Sequence, residues 1–204
     1  MLMKTPHHNW LLLISSVTLL TGCAFTKEKV AVSFQTPVFK ETATAPTAIG
    51  VQKLKDARGV DPHLLAHKGV QMKTTGEYNT DAEVADIVTD ALKTTLKSLN
   101  YKIASDGGGL TLSGDIVKFD SNVIMGFWAG AMESSIQLNL KLNDAKTGAL
   151  LWSELLSGYT KVEGLQMDRA AHRQRVAEEA LQDVMKKLGE SETFRKVVQN
   201  FSPK

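Results

Sequence analysis

His63 and His67, in the run His63-Leu64-Leu65-Ala66-His67, stand four residues apart, the separation that puts two imidazoles on one face of a helix for a divalent cation. The run lacks the glutamate of the zinc-protease pattern, follows Pro62 and has no third or fourth ligand beside it, so no metal site is expected. Gly107-Gly108-Gly109 has the small residues of a phosphate cradle. No Lys-Ser/Thr follows, and the next segment reads as a strand, so the glycines predict a turn. Serine, histidine and aspartate are all present, but no Gly-x-Ser-x-Gly elbow holds a nucleophile, and His172 falls on the outward side of a predicted helix. No catalytic residues and no cofactor are expected. Asp56 and Arg58 lie two apart, on one face if the strand before them continues. They are either an exposed recognition pair or a surface ion pair worth about 0–1 kcal/mol.

One residue carries a definite chemistry. Lys4 opens the chain, Trp10 to Leu20 is uncharged and leucine-rich, and Leu20-Thr21-Gly22-Cys23 follows. A positive start, a short apolar core and a small-residue exit form the layout of a secretory signal peptide. The apolar run is too short to span a bilayer as a mature helix. Leu-Thr-Gly-Cys resembles the bacterial lipobox. The resemblance implies that Cys23 receives a diacylglyceryl thioether, that the chain is cut before it, and that the new amino group is acylated. Ala24 follows where Asp would favour retention in the inner membrane, so the periplasmic face of the outer membrane is the expected location. Cys23 is also the sole cysteine, so a lipidated mature chain forms no internal disulfide.

A second anomaly is Val123-Ile124-Met125-Gly126-Phe127-Trp128-Ala129-Gly130-Ala131-Met132. It joins two predicted strands and passes ten residues without a charge, whereas such connections are usually short and polar. It either folds back as core or forms an apolar tip for a protein, an acyl chain or the membrane surface. Ile124, Met125, Phe127 and Trp128 are its candidate contact residues, alongside Asp56 and Arg58.

The elements that must position these residues follow from periodicity. Residues 1–22 are the signal peptide, 23–47 a lipidated N-terminus with a short strand (29–35) and a linker, and 48–204 a periplasmic domain. Residues 61–78 are polar and irregular. Thr80-x-x-Glu83 reads as a capping box, opening a helix with Val84, Ile87, Val88, Ala91, Leu92, Thr95 and Leu99 on one face and Asn100 at its end. The period then drops to two. Leu110, Leu112, Gly114 and Ile116 alternate with polar residues, as do Ile136, Leu138, Leu140 and Leu142, and Leu150 to Tyr159 returns as a third strand carrying Trp152. A last helix, from about Asp168 to Leu188, has Ala170, Ala177, Ala180, Leu181, Val184 and Leu188 inward. Arg169, Arg173, Glu178, Gln182 and Lys186 face out, and Gly189 reads as its C′ residue. Two one-sided helices beside a meander predict an α+β fold, an antiparallel β-meander sheet with both helices packed on one face as a two-layer sandwich.

Composition limits the function classes. Removing 22 of the 204 residues leaves 182, and the loss of Lys4 leaves 23 basic against 22 acidic residues. That balance gives no electrostatic case for nucleic acid, and 43% hydrophobic residues suffice for a packed core.

The order of features resembles the YajG-like group of bacterial lipoproteins. It comprises the lipobox, a strand followed by Asp56-Ala57-Arg58, a helix exit with Leu96, Leu99 and Tyr101, and two long strands. A strand ending in Tyr159-Thr160-Lys161-Val162-Glu163-Gly164 and an alanine-rich last helix complete it. The resemblance implies a periplasmic α+β domain without an established activity. The layout is also similar to lipopolysaccharide-assembly lipoproteins and to auxiliary lipoproteins of lipid-import transporters, an analogy of fold. The expected protein is thus a non-enzymatic binding module, held to the membrane by its lipid anchor and partnered by an envelope protein or lipid. The alternative is a lipid or glycolipid carrier.

Overall fold

The computed structural model describes residues 26–43, 47–70, 73–104, 109–124, 130–165 and 169–201. Its frame is the expected meander: β7 (Leu110–Ile124), β8 (Gly130–Asp144) and β9 (Leu150–Leu165) pair antiparallel in sequence order. Alternation along β8 buries Met132, Ser134, Ile136, Leu138, Leu140 and Leu142, while the residues between them stay partly or fully exposed. In β7 the pattern changes phase at Val117, a bulge between Ile116 and Lys118. The extra residue brings Phe119 and Ser121, in place of Lys118 and Asp120, to the core face. Leu138, flanked by Ile116 and Leu156, is 1% exposed. Leu138→Ala should therefore cost about 2–5 kcal/mol in chemical denaturation, as buried leucine truncations do. A loss below about 1 kcal/mol, outside that range, would place its side chain on the other sheet face.

The meander is extended by parallel strands. β2 (Ala48–Val51) pairs parallel with β7 and with β6 (Lys102–Ala104), and β3 (Lys55–Asp56) continues the pairing along β7. Between β2 and β6 the chain forms α1 (Val84–Ser98). The other helices are α2 (Ala170–Glu190) and α3 (Glu192–Asn200). α2 crosses β8 and β9, α1 lies beside α2, and α3 sits against β9. Two layers result, with Val88, Leu92 and Leu96 of α1 and Ala180, Leu181, Val184 and Leu188 of α2 fully buried against the sheet. Phe194 of α3 closes this layer, edge-on to Trp152 with centroids 5.1 Å apart. Among the described residues no helix is long and apolar enough to cross a membrane.

Several local expectations are corrected. The polar stretch 61–78 contains a hairpin, β4 (Leu64–Val70) and β5 (Lys73–Asn79), joined by β1 (Thr26–Lys29) into a second three-stranded sheet. β1 starts earlier than the expected strand because its partner β5 ends at Asn79, opposite Lys29. Residues 30–43 then form an extended arm over the helical layer, with Val30 only 2% exposed. Ser33 donates from its amide and its hydroxyl to Glu178 (2.8 and 2.7 Å). Ala43 exchanges hydrogen bonds with the end of α1, its amide to the Leu99 carbonyl and its carbonyl from the Asn100 side chain. What reads as a linker is therefore built into the domain up to residue 43.

The capping box does not form. Thr80 Oγ1 donates to the Ala82 carbonyl, Glu83 pairs with Lys53, and the Pro62 carbonyl accepts the first helical amide, from Val84. Gly189 lies inside α2 rather than after it, because Phe39 of the arm packs where its Cβ would be, with Cε1 at 2.2 Å. Arg173 faces inward with no exposed surface, because the second sheet covers that side of α2. The Gly107-Gly108 turn lies outside the described residues.

Candidate functional site

Asp56 ends β3, where its backbone still pairs with β7, and Arg58 follows two residues beyond. The guanidinium grips the carboxylate in two parallel bonds, Nε to Oδ1 at 2.8 Å and Nη2 to Oδ2 at 2.7 Å. Its Nη1 donates to the carbonyls of Leu64 (2.7 Å) and Phe119 (3.3 Å). The Arg58 side chain is 5% exposed and that of Asp56 15%. The pair is neither an exposed recognition element nor a surface ion pair, the two readings its spacing allows, but is spent on joining β3, β4 and β7. Burial pushes the Asp56 carboxyl up, but the bonds and charge of Arg58 outweigh it and hold the group below the ordinary carboxylate range. A depressed carboxyl stabilises the fold at neutral pH, and that contribution fades as pH falls through the depressed value. Arg58→Met should cost about 3 kcal/mol at neutral pH, because a buried carboxylate loses its partner. The gap from wild type should narrow in acid, once Asp56 is protonated; a gap independent of pH in urea denaturation would contradict this role.

A second cation sits where the two sheets meet. Arg173 donates to the carbonyl of Ser121, approaches Ser121 Oγ at 3.3 Å and lies 5.3 Å over the ring of Tyr78. Helical periodicity alone does not reveal this residue, because the sheet that buries it is absent from the sequence pattern. Nearby on the open face, Tyr159 donates to Glu133 (2.8 Å), a bond that raises the phenol above its ordinary value. Gln137, Asn139 and Lys141 of β8 continue that face with polar side chains, beside the exposed Leu155 of β9 and Val117 of β7.

His67 lies in the second sheet and His63 in the turn that leads into it. His63 Nδ1 lies 3.0 Å from the Thr80 carbonyl, and His67 is exposed on β4. No group of metal-ligating side chains occurs among the described residues. At the ends of the apolar run, Ile124 is 42% exposed and Met132 is buried. Met125, Phe127 and Trp128 lie outside the described residues, as does Cys23.

This arrangement, a meander with helices on one face and a small second sheet at one end, is similar to solved bacterial domains. A protein of the DUF330 family from Xanthomonas campestris matches with a TM-score of 0.61 at 18% identity, over 86% of this chain and 99% of that one. A neuraminyllactose-binding hemagglutinin homolog from Helicobacter pylori matches with a TM-score of 0.51 at 13% identity, over 84% and 100%. At these identities the likeness is one of fold. No protein-family model matches the sequence, and no curated protein matches it.

Proposed function

We propose that this chain is a membrane-anchored lipoprotein of a bacterial envelope whose α+β domain binds or positions another envelope component and catalyses no reaction. The observation that carries the proposal is Leu20-Thr21-Gly22-Cys23 after a short apolar run, with the first strand of the domain beginning at Thr26. Ala24 favours the periplasmic face of the outer membrane. The YajG-like layout points the same way.

The alternative is a carrier holding a lipid between helices and sheet. Against it, the layer between α1, α2 and the meander is filled by side chains with almost no exposure. Gly158 brings the sheet so close to α2 that a Cβ would lie 2.2 Å from the Ala180 carbonyl oxygen. A depression of about 690 Å³ between the β8–β9 turn and α3, lined in part by Leu151, Val197 and Phe201, opens to the surface. These features favour a binding module.

The test is photo-crosslinking in intact cells from positions within 123–132, with mass spectrometry of the adduct. Phe127→Ser combined with Trp128→Ser should abolish capture and leave the melting temperature nearly unchanged, since aromatic anchors dominate contact energies. Destabilisation by more than about 3 kcal/mol, the cost of aromatic truncation in a core, would assign these residues to the interior instead.

A further inference from the structure

β9 is the outer strand of the main sheet, and among the described residues no strand pairs along its other side. Its register with β8 is unbroken from Trp152 to Glu163. Successive residues of a strand alternate in side-chain face and in the direction of their backbone groups. Tyr159 donates its amide away from β8, to Asp183 Oδ2 at 3.0 Å, and the Ser157 carbonyl accepts from Lys187 Nζ at 2.6 Å. Ser153, Leu155, Ser157, Tyr159, Lys161 and Glu163 therefore turn their amides and carbonyls outward, and all are exposed. They form an edge about 34 Å long, at 3.4 Å per residue. A long exposed edge is a template for an added strand.

Natural edges are blunted by lysine charges, by bulges or by covering elements. Here Lys161 is neutralised by Glu163 at 2.7 Å, and Leu155 and Tyr159 are 57% and 51% exposed. A bulge lies only at the end, where Gly164 (φ 77°) breaks the register between Gly130 and Ala131. The cover comes from α2. It approaches the strand closely at Gly158, which has no Cβ to hold it off. Asp183 and Lys187, one helical turn apart and 2.9 Å from each other, reach the edge on either side of that glycine. Together they take a carbonyl and an amide two residues apart, groups that an added strand would use. Among the described residues, no hydrogen bond reaches the outward backbone of Ser153, Leu155, Lys161 or Glu163.

We infer that Asp183 and Lys187 are a guard on the β9 edge, which is otherwise fitted to pair with β9 of a second copy. Turned about a two-fold axis at Gly158, two such edges run antiparallel, and every outward residue from Ser153 to Glu163 finds a partner. Ser157 then lies opposite Tyr159, Leu155 opposite Lys161, and Ser153 opposite Glu163. No like charges meet, and the apolar stem of Lys161 can lie along Leu155. The two open faces become one continuous face, with both helical layers on its other side. In the guarded chain, Asp183 and Lys187 occupy the centre of that contact, so pairing must displace two hydrogen bonds from each copy. The guard therefore holds the domain as a monomer. This role does not depend on the anchor proposed above.

The test uses the full mature chain in detergent, with Ser157→Cys at the centre of the contact and a short bismaleimide as the probe. With the guard intact, the chains should stay unlinked. With Asp183→Ser and Lys187→Ser added, a linked dimer should become the main species at the same protein concentration. A further Leu155→Pro, which removes an outward amide that an edge strand can lose, should abolish the dimer. Lys141→Cys, in the middle of the sheet, should stay unlinked with or without the guard. The chain without an introduced cysteine reports any reaction at Cys23, so failure of the anchor reading is seen separately. An unguarded chain that melts cooperatively but stays unlinked overturns the inference. So does a guarded chain that links as readily, equal linking at 141, or linking that survives Leu155→Pro. If the double variant does not fold, Lys187→Met, which frees only the Ser157 carbonyl, should still raise linking above that of the guarded chain; no rise overturns the inference.

Discussion

Gly158→Ala is expected to lift α2 off the sheet and to be among the most costly methyl-sized changes in the domain. Gly158 lies in β9 opposite Ile136, and it faces the small-residue side of α2, where Ala177 and Ala180 are fully buried. An added Cβ would stand 2.2 Å from the Ala180 carbonyl oxygen, 2.8 Å from the Val184 nitrogen and 2.9 Å from Ile136 Cγ2. Two of these neighbours are helix backbone and cannot rotate away, so the whole helix must shift. Overpacking usually costs about 1–3 kcal/mol, and a rigid backbone contact should reach or exceed about 3 kcal/mol, the top of that range. Denaturation midpoints and near-ultraviolet circular dichroism measure this. Gly148→Ala is the control, since its Cβ meets nothing within 4 Å and only its φ of 74° opposes a side chain. That strain is about 1–2 kcal/mol. Equal losses for the two variants would mean that α2 does not approach the sheet at Gly158.

Cys23→Ser is the second large effect, on location. Each buried CH₂ contributes about 0.8 kcal/mol, so one acyl chain holds a protein marginally and two or more hold it firmly. Removing the thiol removes the site of the diacylglyceryl group. The variant should accumulate as a full-length precursor, or as soluble periplasmic protein if another peptidase cuts it. The domain itself should still fold, since its core draws on residues from Val30 onward. Membrane fractionation with unchanged distribution and mobility would contradict the lipobox assignment.

The meander and α2 were legible because a half-buried strand or helix writes its burial into the sequence with a fixed period. Leu110 to Ile116 and Ile136 to Leu142 do so plainly, and Asn100 ends α1 as expected, in the left-handed region with φ 68°. The second sheet was not legible. Its strands hold Gly69 and Gly76, residues that signal turns, and its pairing runs over long sequence separations. The same long-range packing overrode three local signals. Gly189 resembles a helix stop until Phe39 arrives from the arm, Arg173 resembles a solvated residue until Tyr78 covers it, and Thr80-x-x-Glu83 resembles a cap until Lys53 takes the glutamate. The Asp56–Arg58 pair was visible as a pair, but whether it faced water depended on β4, which the sequence does not announce. The uncharged run 123–132 stands out in composition, but its middle, 125–129, lies outside the described residues.

The anchored-module proposal is tested most directly by the intact mass of the mature protein extracted from membranes. A chain beginning at Cys23 and carrying a diacylglyceryl group with an acylated amino terminus is the expected result. A mature chain that begins elsewhere, or that carries an unmodified Cys23 thiol, would contradict it.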